Sequence, residues 1–248
     1  MTQKADVYRE KLRVMDDWDD YLLQESGLPG PRGNLELAGV VAQLGDEALF
    51  NRYLAFEAEV APTNDPREFL AFCGVLGLGR LVAEGKREYL EVLRRSAGDP
   101  RWRIREAVAQ ALHLYGLADM DALLDEMEAW CRGSLLEKRA AVAGPCHPDL
   151  LHEERHAERV LGILDSITAY LETVEDRRGE EFKALRKGLG YCWSVAVCAF
   201  PEAGKKQMER WFANDDRDVR WIMKQNLRKK RLERMDAAWV AAGKAQME

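Results

Sequence analysis

The stretch DPRWRIREAVAQAL, residues 99–112, decides how the rest of the chain is interpreted. From residue 101 to residue 116, apolar side chains recur at the interval of one helical stripe. No segment of similar length alternates between apolar and polar residues, as an exposed strand does. Most of the chain is rich in the helix formers Ala, Leu, Arg and Glu, divided by short Gly- and Pro-rich breaks. The sequence therefore predicts an all-α protein of about a dozen helices. The stripe consists of Ile104, Val108, Ala111, Leu112 and Tyr115.

Copies of this pattern recur along the chain. LLEKRAAVAG (135–144) aligns Arg139 with Arg105, and EEFKALRKGLG (180–190) and NDDRDVRWIMKQNL (214–227) place Arg186 and Arg220 at the same point. Successive arginines are 34, 47 and 34 residues apart, and the surplus of the larger step falls in the segment that begins at His152. Fainter copies precede residue 99. The chain is thus predicted to repeat a unit of this size about six times.

Each unit is predicted to be an antiparallel helix pair, such as 84–97 with 101–116 and 118–131 with 134–144. One such pair cannot bury its apolar face alone, so several must stack. Three of the four residues six positions before the aligned arginines are polar, and a polar side chain there can cap its own helix. It can also accept a hydrogen bond from the arginine of a neighbouring repeat. The predicted structural ladder comprises Asp99, Arg105, Arg139, Arg186, Asn214 and Arg220.

The helix-pair unit and the spacing of Asp and Arg at 99–112 resemble HEAT repeats over residues 28–232. The tail at 216–232 is similar to the closing repeat of bacterial HEAT-like proteins of the DNA alkylation-repair helical-repeat superfamily. The resemblance implies a right-handed α-solenoid of about five to six helix pairs with a concave groove. Some members of that superfamily bind duplex DNA and excise bases, and the resemblance implies these activities as a possible function of this chain. The motif of the glycosylase members does not align here, so no catalytic residue is assigned.

One domain is expected over residues 1–248: an N-terminal capping helix (about 4–26, within 1–27), repeats over 28–232, and a C-terminal helix (about 234–246, within 233–248). A net charge of −6 and 47% hydrophobic residues are typical of a soluble globular chain. The longest uncharged apolar stretch, 188–201, is too short to cross a bilayer, and because charged and apolar positions alternate in residues 1–25 we expect no signal peptide there. Five scattered cysteines favour reduced core thiols. We expect a cytoplasmic monomer without a membrane partner.

Residues 217–234 hold eight Lys and Arg and two acidic residues, which leaves a charge of −12 on the other residues. On one continuous helix, the cations would share a face bordered by an aromatic ring, an arrangement that can bind phosphates. The alternative is a solvated face on a terminal repeat, which the acidic charge of the chain favours. Among seven tryptophans, Trp102 and Trp221 lie beside arginines and are the candidates for exposure in a groove. The predicted anion-binding residues are Arg217, Trp221, Lys224, Arg228 and Arg231.

His152 and His156 form an H-E-x-x-H motif, which on a helix could bind zinc with Glu153 as general base. The charged residues Glu154 and Arg155 between them instead favour an exposed helix start. Cys146 and His147 lack the paired ligands of a structural zinc site. We therefore predict no metal, no cofactor and no catalytic residue.

The predicted function is a non-enzymatic scaffold that binds a protein or another macromolecule through its concave face. The alternative is a nucleic-acid-binding protein, or a lesion-processing enzyme related to the alkylation-repair repeats. Both rest on the family resemblance, and fold alone does not fix function. A zinc hydrolase built on the His152 motif is the third and least favoured class.

Overall fold

The computed structural model describes residues 3–247, which form fifteen α-helices and no strand. The prediction of an all-α protein is confirmed. The helices are α1 Gln3–Arg13, α2 Asp19–Glu25, α3 Leu35–Leu44, α4 Glu47–Leu54, α5 Glu68–Ala83, α6 Tyr89–Ala97, α7 Trp102–Ala118, α8 Met120–Trp130, α9 Leu135–Ala143, α10 Glu154–Leu171, α11 Glu180–Ala199, α12 Pro201–Phe212, α13 Arg217–Leu227, α14 Lys230–Met235 and α15 Ala237–Gln246.

Side-chain caps set the start of many helices. Ser134 accepts a hydrogen bond from the backbone N–H of Glu137, whose carboxylate accepts from the Ser134 N–H, a capping box at the start of α9. Each such cap satisfies backbone donors that the first helical turn leaves without partners. The other caps whose side chains accept from the first turn are Asn34, Asp46, Asp119, Asp216 and Asp236.

The predicted N-terminal helix is broken in two, whereas the predicted C-terminal helix corresponds to α15 but begins only at Ala237. At the N-terminus, α1 ends at Arg13 and α2 begins at Asp19, and the Trp18 indole donates to the carbonyl of Leu12 at 2.9 Å. At the C-terminus, α14 ends at Met235 and a cap starts α15. These local polar contacts satisfy backbone groups at the breaks, and the apolar pattern alone does not reveal them.

The helices group into two compact units, with the boundary between Ala118 and Asp119. In unit 1, α1, α3, α5 and α7 pack side by side in that order, while α4 and α6 each contact α5. Fourteen of the sixteen residues of α5 are buried, so this helix is the centre of the unit. A Cβ built on Gly79 would lie 2.4 Å from the Cα of Ala111, which shows how closely α5 approaches α7.

Unit 2 contains α8 to α15. Here α9, α11 and α13 pack side by side, and α8, α10 and α12 form a second series of neighbours. The core holds the largest buried side chains, among them Trp130, Trp193, Phe182 and Phe212. The indole of Trp193 donates to the Thr168 hydroxyl at 3.0 Å, so its polar atom is satisfied inside the core.

All five cysteines are free, and Cys73, Cys146 and Cys192 are buried, as predicted for core thiols. Burial raises the pKa of the half-buried Cys131 thiol to about 11, so this thiol is protonated at neutral pH. Within residues 3–247, no helix combines the length and the apolar character that a membrane span requires.

Candidate functional site

A cationic groove lies between α11 and α13 in unit 2, with a volume of about 320 Å³. We call it the Trp221 groove, because the Trp221 ring lies in its wall between four Lys and Arg side chains and one amide. It is lined by Lys183, Arg186, Lys187, Gly190, Trp221, Gln225 and Lys229.

The helical period builds both walls of this groove. The α11 residues occupy positions i, i+3, i+4 and i+7, and Trp221 and Gln225 are four positions apart on α13. Lys229 follows the end of α13. A Cβ built on Gly190 would lie 3.0 Å from the Trp221 ring, so the missing side chain lets the ring lie against α11.

Arg186 is held in a fixed orientation in the groove wall. One guanidinium nitrogen donates to Asp218, which is 2% exposed, and the guanidinium carbon lies 4.5 Å from the centre of the Trp221 ring. Its Nε is buried without a hydrogen-bond partner within residues 3–247. Ion pairing and stacking thus orient one planar cation at the wall of the groove.

A second arginine shares this carboxylate network. Arg177 donates to Asp216 at 2.5 Å and to Asp218 at 3.3 Å. Burial of Asp216 acts to raise the pKa of its carboxyl. The hydrogen bonds from Arg177 and from the backbone amides at the start of α13 outweigh this effect and hold that pKa below its ordinary value. The Asp216 carboxylate therefore stays ionised at neutral pH and keeps Arg177 in place.

The three lysines of the groove are more accessible to a ligand. Lys187 is exposed and forms no ion pair in the part of the chain that the structure describes. Lys183 pairs with the exposed Glu180 at 2.7 Å, a contact that solvent weakens. The Lys229 ammonium lies 5.4 Å from the centre of the Tyr191 ring. Three lysine ammonium groups thus surround the oriented guanidinium of Arg186.

Charge is strongly divided along unit 2. Residues 119–181 hold 7 Lys and Arg against 16 Asp and Glu, whereas residues 182–248 hold 15 against 8. The segment that forms the groove is therefore basic, although the whole chain is acidic. The whole segment therefore attracts an anion, in addition to the residues that line the groove.

The structure brings only one of the five predicted anion-binding residues into the groove, Trp221. Arg217 is exposed beside Asp218, Lys224 is half-buried and Arg228 is exposed at the end of α13. Arg231 donates to the Tyr191 hydroxyl at 2.5 Å and stacks on its ring. Three of the four cations that accompany Trp221 come instead from α11, and the fourth, Lys229, follows the end of α13. The i, i+3, i+4 spacing of the three on α11 is visible in the sequence, but such spacing alone does not distinguish a binding face from a solvated one.

The expectation of one helix face through residues 217–231 was wrong because α13 ends at Leu227 and α14 begins at Lys230. Leu227 and Leu232 are both buried, yet five positions on a continuous helix separate side chains by about 140°. The break lets both leucines reach the core. Arg228 and Arg231 therefore do not continue the face of Arg217 and Lys224.

The predicted ladder residues form other contacts than the sequence suggested. The Asp99 carboxylate accepts from Arg101 at 2.7 Å, while Arg105 donates to the Asp99 carbonyl oxygen at 2.6 Å. Asn214 accepts from the backbone of Asp216 and does not itself cap α13.

The remaining ladder arginines lie in unit 2. Arg220 donates to the carbonyl of Met247 at 2.6 Å, and Arg139 is half-buried on α9. Arg186 does bond to a carboxylate on the next helix in its row, that of Asp218. Of the predicted ladder arginines, Arg186 thus forms the contact most similar to the predicted one, but its acceptor lies four residues after Asn214.

The two histidines of the H-E-x-x-H motif do not share a helix face. α10 begins at Glu154, so His152 lies before it, exposed, while His156 is buried and its Nε2 lies 3.2 Å from Asp121. Residues 152–155 are thus exposed, as predicted, whereas His156 is buried. Cys146 is buried, and its neighbour His147 contacts Asp149.

Comparisons of this chain with protein-family models, with curated proteins and with solved structures found no match.

Proposed function

We propose that this protein is a non-enzymatic binding module of HEAT-like helical repeats, and that the Trp221 groove binds the phosphate backbone of a nucleic acid. The proposal keeps the non-enzymatic repeat scaffold expected from the sequence but takes up nucleic-acid binding, the alternative function, in place of the favoured scaffold that binds a protein or another macromolecule through a concave face. The observation that carries it is the convergence of four Lys and Arg side chains around one tryptophan.

The helix-repeat part of the proposal rests on the order of packing within each unit. Alternate helices are neighbours: α1, α3, α5 and α7 in unit 1, and α9, α11 and α13 in unit 2. Repeated helix pairs pack in this manner because each pair buries its apolar face on the next. A right-handed solenoid of five to six pairs is the arrangement that we propose for the chain.

The chemistry of the groove suits phosphate oxygens. A guanidinium whose orientation is fixed can donate to a phosphate with little loss of conformational freedom. The three lysines add charge without requiring one geometry, and neutralising phosphates releases counterions from the nucleic acid. Together these groups favour binding that is sequence-independent and salt-dependent.

The aromatic and amide groups favour a nucleic acid over an acidic protein segment. Beside the cations, Trp221 offers apolar ring surface and Gln225 offers both a donor and an acceptor. Sugars and bases use such groups, as in sites that combine a cationic groove with an aromatic ring. A run of acidic side chains offers no aromatic surface to stack on Trp221.

Fluorescence anisotropy with a labelled DNA duplex of about 20 base pairs, titrated from about 50 to 200 mM salt, tests the proposal. Replacing both Lys187 and Lys229 with Ala should weaken binding and flatten the salt slope by nearly two, since each phosphate that is no longer neutralised reduces the slope by about 0.9. The matched control is Lys206→Ala with Lys244→Ala, which removes the same charge from exposed positions outside the groove.

The control double variant should retain nearly the full salt dependence of DNA binding. Equal losses in both double variants would show that the attraction is diffuse and would contradict a site in the groove. Tight binding of polyglutamate with no binding of DNA would identify an acidic protein partner and overturn the nucleic-acid assignment.

A further inference from the structure

A second pocket of about 340 Å³ lies wholly within unit 1, and its chemistry differs from that of the Trp221 groove. It is formed by the loop between α2 and α3 and by the first turns of α3, α5 and α7. We call it the Trp102 pocket. It is lined by Leu28, Pro31, Arg32, Gly33, Leu35, Phe69, Phe72, Trp102, Arg103 and Glu106.

A buried ion pair fixes one wall of this pocket. Arg103 donates to Glu68 at 3.1 Å and to the Asn64 side chain at 2.9 Å, and it also donates to the carbonyl of Gly30 in the loop. Its guanidinium carbon lies 4.3 Å from the centre of the Trp102 ring. The Arg103 Nε is buried without a hydrogen-bond partner within residues 3–247. Arg103 therefore ties the loop to α5 and holds the wall rigid.

Most of the remaining surface is apolar, and it continues out of the pocket. Phe69 and Phe72 stack with ring centres 6.4 Å apart. At the rim, Leu35 is 50% exposed and Trp102 is 47% exposed, and both are among the most exposed large apolar side chains of unit 1. Exposed apolar side chains around a concave site are typical of an unoccupied binding surface.

Arg32 places a positive charge at the rim of this pocket, which Glu106 also lines. Arg32 is exposed and forms no ion pair in the described part of the chain. The charge of Arg103 is balanced by Glu68, and Glu106 is already engaged in an interaction of its own. A ligand that carries a negative charge beside an apolar group would complement this rim.

We infer that the Trp102 pocket binds a short linear segment of a partner protein, with one bulky apolar side chain in the pocket and an acidic residue beside Arg32. The volume is at the small end of ligand sites and accommodates one or two large side chains. A peptide that continues past the pocket can also cover the exposed apolar surface of Leu35 and Trp102 at the rim. This inference is independent of the nucleic-acid proposal, because it uses no residue of the Trp221 groove.

The probe is a fluorescein-labelled octapeptide in which a Leu-Trp pair follows two glutamates. Anisotropy should show saturable binding with a dissociation constant on the order of 10–100 μM, typical of a small transient interface. The same peptide with two lysines in place of the glutamates should bind at least about fivefold more weakly. Absence of saturable binding up to about 1 mM would overturn the inference.

Two matched pairs of variants locate the site. Leu35→Ser should weaken binding about fivefold, because the rim then offers less apolar surface to the peptide, while Leu117→Ser, at a similarly exposed leucine of unit 1, should not. Arg32→Glu should reverse the preference and favour the lysine peptide, whereas Arg13→Glu should leave it unchanged. All four positions are exposed, so folding should be preserved.

Equal effects of Leu35→Ser and Leu117→Ser, or an unchanged charge preference in Arg32→Glu, would contradict the site. Saturable binding of free phenylbutyrate without binding of the peptide would identify a small carboxylic acid as the ligand and contradict the peptide assignment. DNA binding measured on Leu35→Ser should be unchanged, so a failure of this inference is distinguishable from a failure at the Trp221 groove.

Discussion

The pockets of unit 1 and unit 2 contain the same three-residue arrangement in different surroundings. In each, an arginine stacks on a tryptophan, at 4.3 Å in unit 1 and 4.5 Å in unit 2, and pairs with a buried carboxylate from the adjacent helix in its row. The unit 1 walls are mainly apolar, whereas the unit 2 walls carry lysines. The two trios are Trp102, Arg103 and Glu68, and Trp221, Arg186 and Asp218.

If the two pockets bind the ligands that we propose, the trio itself does not determine which ligand binds. It supplies a fixed guanidinium at the wall of each pocket, and the neighbouring side chains decide which chemistry the pocket accepts. Burial differs as well. The Arg103 side chain is 5% exposed, so its role is chiefly structural, while Arg186 is 30% exposed and can reach a ligand.

The largest expected effect comes from removing the carboxylate of unit 1. Glu68→Ala leaves the Arg103 charge buried without its partner, and this should lower the free energy of unfolding by about 3–5 kcal/mol. Urea denaturation measures it. Replacing Glu68 and Arg103 together with leucine should recover much of the loss. A single variant as stable as the parent would show that the pair does not hold unit 1 together.

The matching change in unit 2 should cost less. Asp218→Ala removes the partner of Arg186, but that arginine remains accessible to water, so a loss of about 1.5–3 kcal/mol is expected from the charged hydrogen bonds. The same urea denaturation measures it. If this loss equals or exceeds that of Glu68→Ala, the inferred difference in burial between the two pairs is wrong.

Glycines at close helix–helix contacts should show a smaller difference in stability between the two units. Gly79→Ala would place a Cβ 2.4 Å from the backbone of Ala111, and such overpacking should cost about 1–3 kcal/mol. Gly190→Ala meets the edge of the Trp221 ring at 3.0 Å, and a side chain can shift more easily than a backbone. Thermal denaturation should therefore show a smaller loss for Gly190→Ala. The reverse order would contradict the described packing of α5 on α7.

The smallest effect concerns pH. Because the pKa of Asp216 is lowered in the folded state, its pairing with Arg177 stabilises the protein above the unfolded pKa of about 3.9 and is lost as the pH falls through the lowered value. Asp216→Asn keeps a capping side chain but removes the charge. The stability difference between parent and variant should be present at pH 7 and should decrease as the pH falls below about 3.9 and through the lowered pKa of Asp216. A difference that does not depend on pH would contradict the charge-based role.

The repeat pattern predicted several helices within a few residues. The predicted segment 101–116 corresponds to α7, Trp102–Ala118, and 134–144 corresponds to α9, Leu135–Ala143. The predicted start of the helix at 84 was wrong, because Gly85, with φ +102°, forms a turn and α6 begins at Tyr89. Periodicity locates buried stripes well, but single-residue backbone geometry sets the ends.

The candidate sites were harder to predict. The aromatic side chains of both pockets, Trp102 and Trp221, are predicted from the sequence as candidates for groove exposure, but most of their partners are not. Lys187 and Trp221 are 34 positions apart, and Glu68 and Arg103 are 35 apart. These separations match the predicted repeat of about 34 residues, which places such positions on neighbouring units, but the repeat alone does not show which of the paired side chains line a pocket.

We propose that the two tryptophan pockets bind different ligands. The indole ¹H–¹⁵N signals of Trp102 and Trp221 test this proposal most directly. Each signal is assigned by a Trp→Phe variant. A short DNA oligonucleotide should shift the Trp221 signal and leave that of Trp102 unchanged, and the acidic Leu-Trp peptide should do the opposite. Shifts of both signals by either ligand, or of neither signal by both, would contradict the account.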